Sequence, residues 1–352
     1  MACEFPGAHS PDEFWENVLA GRRFSRKAPP ERLPPEYFSP DPKTPDKSYC
    51  DRMAVITGWE FDPIKFHVPP VTCRASNIAH WLAFYTADAT VRSSGVALRT
   101  VDHARAAVIP GNSLTGEFNR SHYLRLRWPY VERSLRQSLA SQGIDNNTIQ
   151  SIVAAFRQTY EAPLQESNED TLAGNMANTI AGRISNYFDL GGGSFTVDGA
   201  CSSSLLSIVL ACDALLKGDL DLALTGGVDV SLDPFEIIGF AKTKALAKED
   251  IRPYDERAGG MMTGEGCGIF VLMREADARA RNLAIHALLF MRSPDVLARA
   301  IVCFHTACSP NCSRQSSSPS DSNRTRPAAP MHYLGWRPTL LKVDDPPSDD
   351  ST

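Results

Sequence analysis

The sequence predicts an α/β protein. Segments with strand-like and helix-like patterning alternate along the chain. One stretch, residues 194–224, reads as a complete unit of short strand, tight turn, apolar helix and buried strand. Glycines mark its ends: Gly191, Gly192 and Gly193 before the first strand, Gly218 after the helix, Gly226 and Gly227 after the second strand.

Taken in order, the first element is a helix capped by Ser10. Pro11 stands at its first position, Asp12 and Glu13 in its first turn, and Gly21 lies past its end. Residues 29–45 are proline-rich and predict an exposed loop. A second helix starts near Asn77, with Ile78, Trp81, Leu82 and Tyr85 on one face, and stops before Gly95. Residues 106–109 read as a strand, and Pro110, which has no N–H to donate, is expected at its end. Residues 129–139 and 147–160 carry helical periodicity. In the central unit, residues 194–197 form the short strand. Leu205, Ile208, Val209, Cys212 and Leu216 then recur on one helical face, and residues 220–224 make the next strand. Cys267, in the run Gly266-Cys267-Gly268-Ile269-Phe270-Val271-Leu272, reads as part of a further buried strand.

The turn of the central unit holds Cys201, in Thr196-Val197-Asp198-Gly199-Ala200-Cys201-Ser202-Ser203-Ser204-Leu205. At such an elbow a cysteine stands at the positive end of the following helix. Backbone N–H groups there suit a nucleophilic thiolate and an oxyanion. Cysteine is equally a small buried hydrophobe, and the small residues around it suit any crowded turn. Local pattern alone leaves both readings open. Cys212, on the apolar helix face, is expected in the core.

Composition bounds the rest. A chain of 352 residues allows one large or two ordinary domains, and 43% hydrophobic residues support a substantial core. The net charge of −5, with no basic stripe, argues against a nucleic-acid partner. Nine cysteines at irregular spacing do not form a secretory disulfide pattern, and the first residues do not read as a signal peptide. No apolar run of the roughly 20 residues a membrane helix needs is evident, so no membrane association is expected. These points together predict a cytoplasmic protein. Cys303, His305, Cys308 and Cys312 cluster near the end, but their spacing matches no usual zinc pair, and no metal or resident cofactor is expected.

The run 197–205 resembles the active-site signature of β-ketoacyl synthases, specifically the ketosynthase domains of type I polyketide synthases. Other stretches agree in order and spacing. Cys3-Glu4-Phe5-Pro6-Gly7-Ala8 with Phe14-Trp15-Glu16-Asn17 resembles the family's opening, and Asn178-Thr179-Ile180-Ala181-Gly182-Arg183-Ile184-Ser185 the helix before its elbow. Leu224-Thr225-Gly226-Gly227-Val228 resembles the strand after it. Arg252-Pro253-Tyr254-Asp255 with Gly264-Glu265-Gly266 resembles the segment that closes the first half. Gly111-Asn112-Ser113-Leu114-Thr115-Gly116-Glu117-Phe118, residues 124–130 and residues 76–83 are similar to a subgroup, the iterative enediyne and polyunsaturated-chain synthases.

The resemblance implies a thiolase-like fold, of which residues 1–289 would be the N-terminal half, with its first strand cut short. Residues 290–352 are low in complexity, unlike the family, and are expected to be a disordered or frameshifted tail. It implies Cys201 as the nucleophile that takes an acyl chain from the phosphopantetheine arm of an acyl carrier protein, with its backbone N–H as one oxyanion donor. A malonyl-type extender would then lose carbon dioxide and condense with the acyl thioester. It also implies a homodimer, formed through residues 187–197. In the family, two histidine motifs manage the decarboxylation. None of the eight histidines here, His9, His67, His80, His103, His122, His286, His305 and His332, falls in either motif, and His286 looks like part of a strand. Condensation by the chain as written is therefore expected to be impaired, with acyl transfer alone, or inactivity, as the alternative. Arg183, Asp255 and Glu265 match family positions and are expected to hold loops around the elbow. An N-terminal half alone would expose a large apolar face and be poorly soluble.

Overall fold

A computed structural model describes residues 1–113, 116–230, 232–249, 251–292 and 297–301. The chain divides into two compact units, Met1–Asn311 and Cys312–Thr352, and every described residue belongs to the first. In chain order the elements are β1 (Ala2–Glu4), α1 (Pro11–Leu19), β2 (Arg26–Lys27), β3 (Arg52–Met53), α2 (Pro70–Arg74), α3 (Ile78–Ser94) and β4 (Ala106–Gly111). There follow α4 (Glu117–Leu126), α5 (Trp128–Ser141), α6 (Asn146–Glu161), α7 (Thr171–Gly174), α8 (Asn178–Phe188), α9 (Ser203–Lys217) and β5 (Leu222–Asp229). The last are α10 (Pro234–Lys242), β6 (Gly266–Arg274), α11 (Glu275–Ala280), β7 (Leu288–Arg292) and β8 (Leu297–Ile301).

The main sheet runs β4-β5-β6-β8-β7, with β1 also on β6. β4 and β5 are parallel, Val108 opposite Leu224, and the remaining pairings are antiparallel. Both faces are covered at β4 and β5, so these two strands are buried almost throughout rather than in alternation. Ala106, Val108, Leu222, Leu224, Cys267 and Ile269 pack with α3 and α8 on one side. Ala107, Ile109, Ala223 and Leu272 pack with Ile208, Ala211, Cys212 and Leu215 of α9 on the other.

The local signals act as expected. Ser10 accepts the Glu13 N–H at 3.2 Å and caps α1. Asn77 accepts the Ala79 N–H at 2.8 Å and caps α3, whose end is the left-handed Gly95. Gly218 ends α9 in the same way, with φ 79°. The two expected middle helices form as α5 and α6.

Several expectations need correction. The buried face of α9 is Ser203, Ser207, Ile208, Ala211, Cys212 and Leu215, whereas Leu205 is 43% exposed. Of the expected stripe Ile208 and Cys212 are buried; it missed Ser203 and Ser207, which are buried with partners for their hydroxyls. α3 is buried almost all round, not on one stripe, and Ile78 is exposed. Pro110 lies within the strand. Its carbonyl accepts the Val197 N–H at 2.9 Å, while the Asn112 N–H donates to Val197 at 3.1 Å. Two residues earlier the same parallel pattern would need an N–H at residue 110 to reach the Phe195 carbonyl, and proline has none. Residues 194–197 therefore bridge β4 at only two points instead of making a full strand. The helical stretch Ala200–Lys217 spans 18 apolar-rich residues, near membrane-span length, contrary to expectation, but its inner face is packed on the sheet. His286 is exposed and precedes β7 rather than lying in a strand. The first strand, β1, is only three residues long, in keeping with a first strand cut short. The Cys303, His305, Cys308 and Cys312 cluster lies outside the described residues.

Candidate active site

Cys201 sits where the chain leaves the edge of β4 and turns into α9. Asp198 accepts the Ala200 N–H at 3.0 Å, which tightens the turn. Ala200 then takes φ 51°, a left-handed conformation that costs an ordinary residue about 1–2 kcal/mol. A single 3-10 turn, Ala200–Ser202, leads into α9 and carries Cys201. The turn is held from below by serines. Ser203 Oγ accepts the Gly199 N–H at 3.0 Å and donates to the Ala200 carbonyl at 2.6 Å. Ser202 Oγ donates to the Gly199 carbonyl at 2.7 Å.

Two glycines let α9 approach the sheet closely enough to place this turn. A Cβ on Gly111, the last residue of β4, would stand 2.5 Å from the backbone carbon of Ser203. One on Gly227 of β5 would stand 2.7 Å from Ser204 Cβ. Asn112, buried just past β4, donates through Nδ2 to the Val228 carbonyl at 2.9 Å, and Ser113 Oγ lies 3.0 Å from Ser203 Oγ. On the incoming side, Thr196 Oγ1 donates to the Ala177 carbonyl before α8 at 2.7 Å.

Cys201 is the one exposed cysteine among those described. Cys3, Cys50, Cys212 and Cys267 are buried, and Cys73 is half-buried. Burial pushes the Cys212 and Cys267 thiols up to about 12, and burial followed by Glu4 does the same to Cys3. The expectation that Cys212 and Cys267 are core holds. The Cys201 N–H makes no hydrogen bond to any described group. The site therefore offers an accessible sulfur and an unused backbone donor on one residue. No group of histidine, cysteine and carboxylate side chains suited to a metal occurs among the described residues.

The other expected participants lie elsewhere. Glu265 is buried and takes Arg32 at 2.8 Å and the Ile56 N–H at 2.9 Å. Asp255 is chelated by Arg257 within its own exposed loop. Arg183 bonds Ser76 Oγ at 2.9 Å and lies over the Trp81 ring. All three are structural, as expected, but none bonds to residues 198–203, so they do not hold the elbow. No described histidine makes a hydrogen bond or ion pair with Cys201. His9 bonds Glu4, His103 the Leu98 carbonyl and His122 the Phe118 carbonyl. His80 is fully buried, and burial first, then Arg183, pushes its imidazole down to about 3. His305 and His332 lie outside the described residues. A cavity of about 360 Å³ at the end of α8, lined by Ser185, Asn186, Asp189 and Ser194, does not include Cys201.

Comparison with known proteins decides the family. Residues 1–278 match the "Beta-ketoacyl synthase, N-terminal domain" family. The chain belongs to that family. Among its relatives, it is 29% identical over 291 residues to a polyunsaturated fatty acid synthase polypeptide of a Thraustochytrium species, covering 82% of this chain and 10% of the relative. It is 31% identical over 283 residues to "Non-reducing polyketide synthase 1" of Elsinoe fawcettii, covering 80% and 11%. The chain thus spans about a tenth of the length of such relatives. Among solved structures, an oxazolomycin ketosynthase domain from Streptomyces albus superposes with TM-score 0.63 at 23% identity, covering 84% of this chain and 46% of that one. The keto synthase–chain length factor PfaC gives TM-score 0.66 at 23% identity, covering 81% and 30%. The fold is thiolase-like, and this ketosynthase N-terminal domain supplies the sheet and helices described above.

Proposed function

We propose that this ketosynthase domain takes an acyl group onto Cys201. The carrying observation is the exposed thiol on a turn preceding α9, with its own N–H unused. The Cys201 sulfur attacks the carbonyl of an acyl thioester, and the tetrahedral oxyanion is met by the Cys201 N–H. Collapse expels the carrier thiol with a proton and leaves the acyl chain on sulfur. The donor we assign is the phosphopantetheine arm of an acyl carrier protein domain, which fits a relative that is part of a polyunsaturated fatty acid synthase. In the full reaction a malonyl thioester loses carbon dioxide, its carbanion attacks acyl-Cys201, and a 3-oxoacyl thioester and the free cysteine result. We further assign a homodimer formed through residues 187–197, where Tyr187 and Phe195 are exposed, and a cytoplasmic setting in keeping with the cysteines of the described residues, all six of them free.

The placement of the histidines favours a second reading, acyl transfer without condensation. No described histidine bonds Cys201, and decarboxylative condensation calls for such groups. The test is to incubate the full chain with hexanoyl-pantetheine and map the adduct by peptide mass spectrometry. Labelling at Cys201 that Cys201→Ala abolishes is expected. Labelling elsewhere, or none, overturns the assignment. Adding carboxyl-labelled malonyl-pantetheine then separates the readings: released labelled carbon dioxide and a 3-oxo product mean condensation, and acyl-Cys201 alone means transfer only.

A further inference from the structure

The Ala200 carbonyl accepts the Ser203 N–H within the 3-10 turn and is approached besides by two hydroxyls from different parts of the chain. Ser203 Oγ, on the first turn of α9, lies 2.6 Å from it, and Ser113 Oγ, two residues past β4, lies 3.2 Å from it. The two hydroxyls are 3.0 Å apart. The proton count closes: Ser203 accepts from the Gly199 N–H and donates to Ala200, while Ser113 donates to Ser203 or directly to Ala200. No cis bond occurs among the described residues, so the Ala200–Cys201 peptide is trans. In a trans peptide the carbonyl and the following N–H point in opposite directions. A carbonyl held towards Ser203 and Ser113 therefore turns the Cys201 N–H the other way, where it meets no described partner.

We propose that Ser113 and Ser203 are positioning residues: together they lock the Ala200–Cys201 peptide so that the Cys201 N–H faces the reacting carbonyl as an oxyanion donor. The inference rests on the acyl-transfer reading above and names what orients its donor. It also explains how Ala200 keeps a left-handed conformation with no glycine to ease it: the serines fix the peptide that follows. Ser203 is part of the local signature, but Ser113 comes from about ninety residues earlier, in the stretch 111–118.

The test compares two reactions of the same sulfur in the full chain. Acylation by hexanoyl-pantetheine passes through an oxyanion. Alkylation by iodoacetamide displaces iodide at a saturated carbon and forms none. Ser113→Ala and Ser203→Ala are expected to slow Cys201 acylation about 10-fold or more, since losing a whole oxyanion donor costs roughly 100- to 1,000-fold. Alkylation of Cys201 should stay within about twofold, and Ser113→Thr, which keeps the hydroxyl, should restore acylation. Equal losses in both reactions, or no loss in acylation, overturn the proposal. If the parent is not acylated at Cys201, the functional reading fails, and crystal structures of the parent and the double alanine variant then decide the clamp on its own. A rotated or doubly occupied Ala200–Cys201 peptide in the variant is expected. An unchanged one refutes the clamp.

Discussion

Gly111→Ala tests whether the elbow is placed by backbone contact. The added Cβ would sit 2.5 Å from the Ser203 carbonyl carbon and 2.6 Å from the Ser204 nitrogen. Non-bonded carbon contacts settle at about 3.5–4 Å, so the first turn of α9 must back away from β4 by roughly 1 Å. Neither neighbour is a side chain that can rotate aside. Forced overpacking of this kind costs about 1–3 kcal/mol. The same shift moves Cys201 relative to any substrate held by the rest of the domain, and a displacement near 1 Å lowers rates by about 100-fold. The comparison is Gly182→Ala in α8, where the new Cβ meets nothing within 4 Å and helix propensity favours alanine by about 1 kcal/mol. Urea melts and single-turnover acylation with hexanoyl-pantetheine measure both effects. Gly111→Ala should lose stability and slow acylation, and Gly182→Ala should do neither. Unchanged acylation in Gly111→Ala, or equal damage from Gly182→Ala, would refute the reasoning.

Other predictions follow from burial. His80 stays neutral in the fold down to about pH 3, whereas in the unfolded chain it takes a proton near pH 6.5. Its contribution is therefore whole above pH 6.5 and is lost as pH falls towards 3, at up to about 1.4 kcal/mol per unit. His80→Leu should flatten the pH dependence of urea stability in that window, and an unchanged slope counts against this. Arg32→Met leaves Glu265 buried with only the Ile56 N–H and should cost about 2–4 kcal/mol in a urea melt, whereas breaking an exposed pair such as Lys217 with Asp213 should leave the melt nearly unmoved. Among the described cysteines, peptide-resolved alkylation of the native chain should mark Cys201 first and Cys73 slowly, with Cys3, Cys50, Cys212 and Cys267 reacting only on unfolding. Leu205, Leu206 and Leu210 expose apolar surface on the outer side of α9. Replacing Leu205 and Leu210 by Gln should raise the soluble yield, and a fall in yield would contradict it.

What was legible in the fold was local. Ser10, Asn77 and Gly218 mark their helix ends through hydrogen bonds and backbone angles set within three or four residues. The faces of α3 and α9 were read less well. Hydrophobic periodicity selects large apolar residues, and these helices bury small and polar ones. Thr90 Oγ1 reaches the Ile269 carbonyl at 3.0 Å and Ser207 Oγ the Gly226 carbonyl at 2.7 Å, so both are core residues with satisfied hydroxyls. α3, set between the sheet and α8, has no solvent stripe for a period to reveal. Pro110 shows the opposite case. The rule that proline ends a strand holds only for the edge that lacks its N–H; on the other edge β4 continues to Gly111 beside Gly227.

The site divides along the same line. The turn that carries Cys201 was readable because Asp198, Gly199, Ala200, Cys201 and Ser203 are continuous in the chain and are held by bonds that span two to four positions. The contacts that aim it were not readable. Gly111 and Gly227 act by having no side chain, and Ser113 by a hydroxyl that meets Ser203 across 90 positions. None leaves a mark in composition or period. The turn that carries Cys201 is placed by how closely α9 can press on β4 and β5. The sheet contacts at Gly111 and Gly227 should therefore tolerate substitution less than the charged residues Asp255 and Arg183, although the charged residues look the more functional in the sequence.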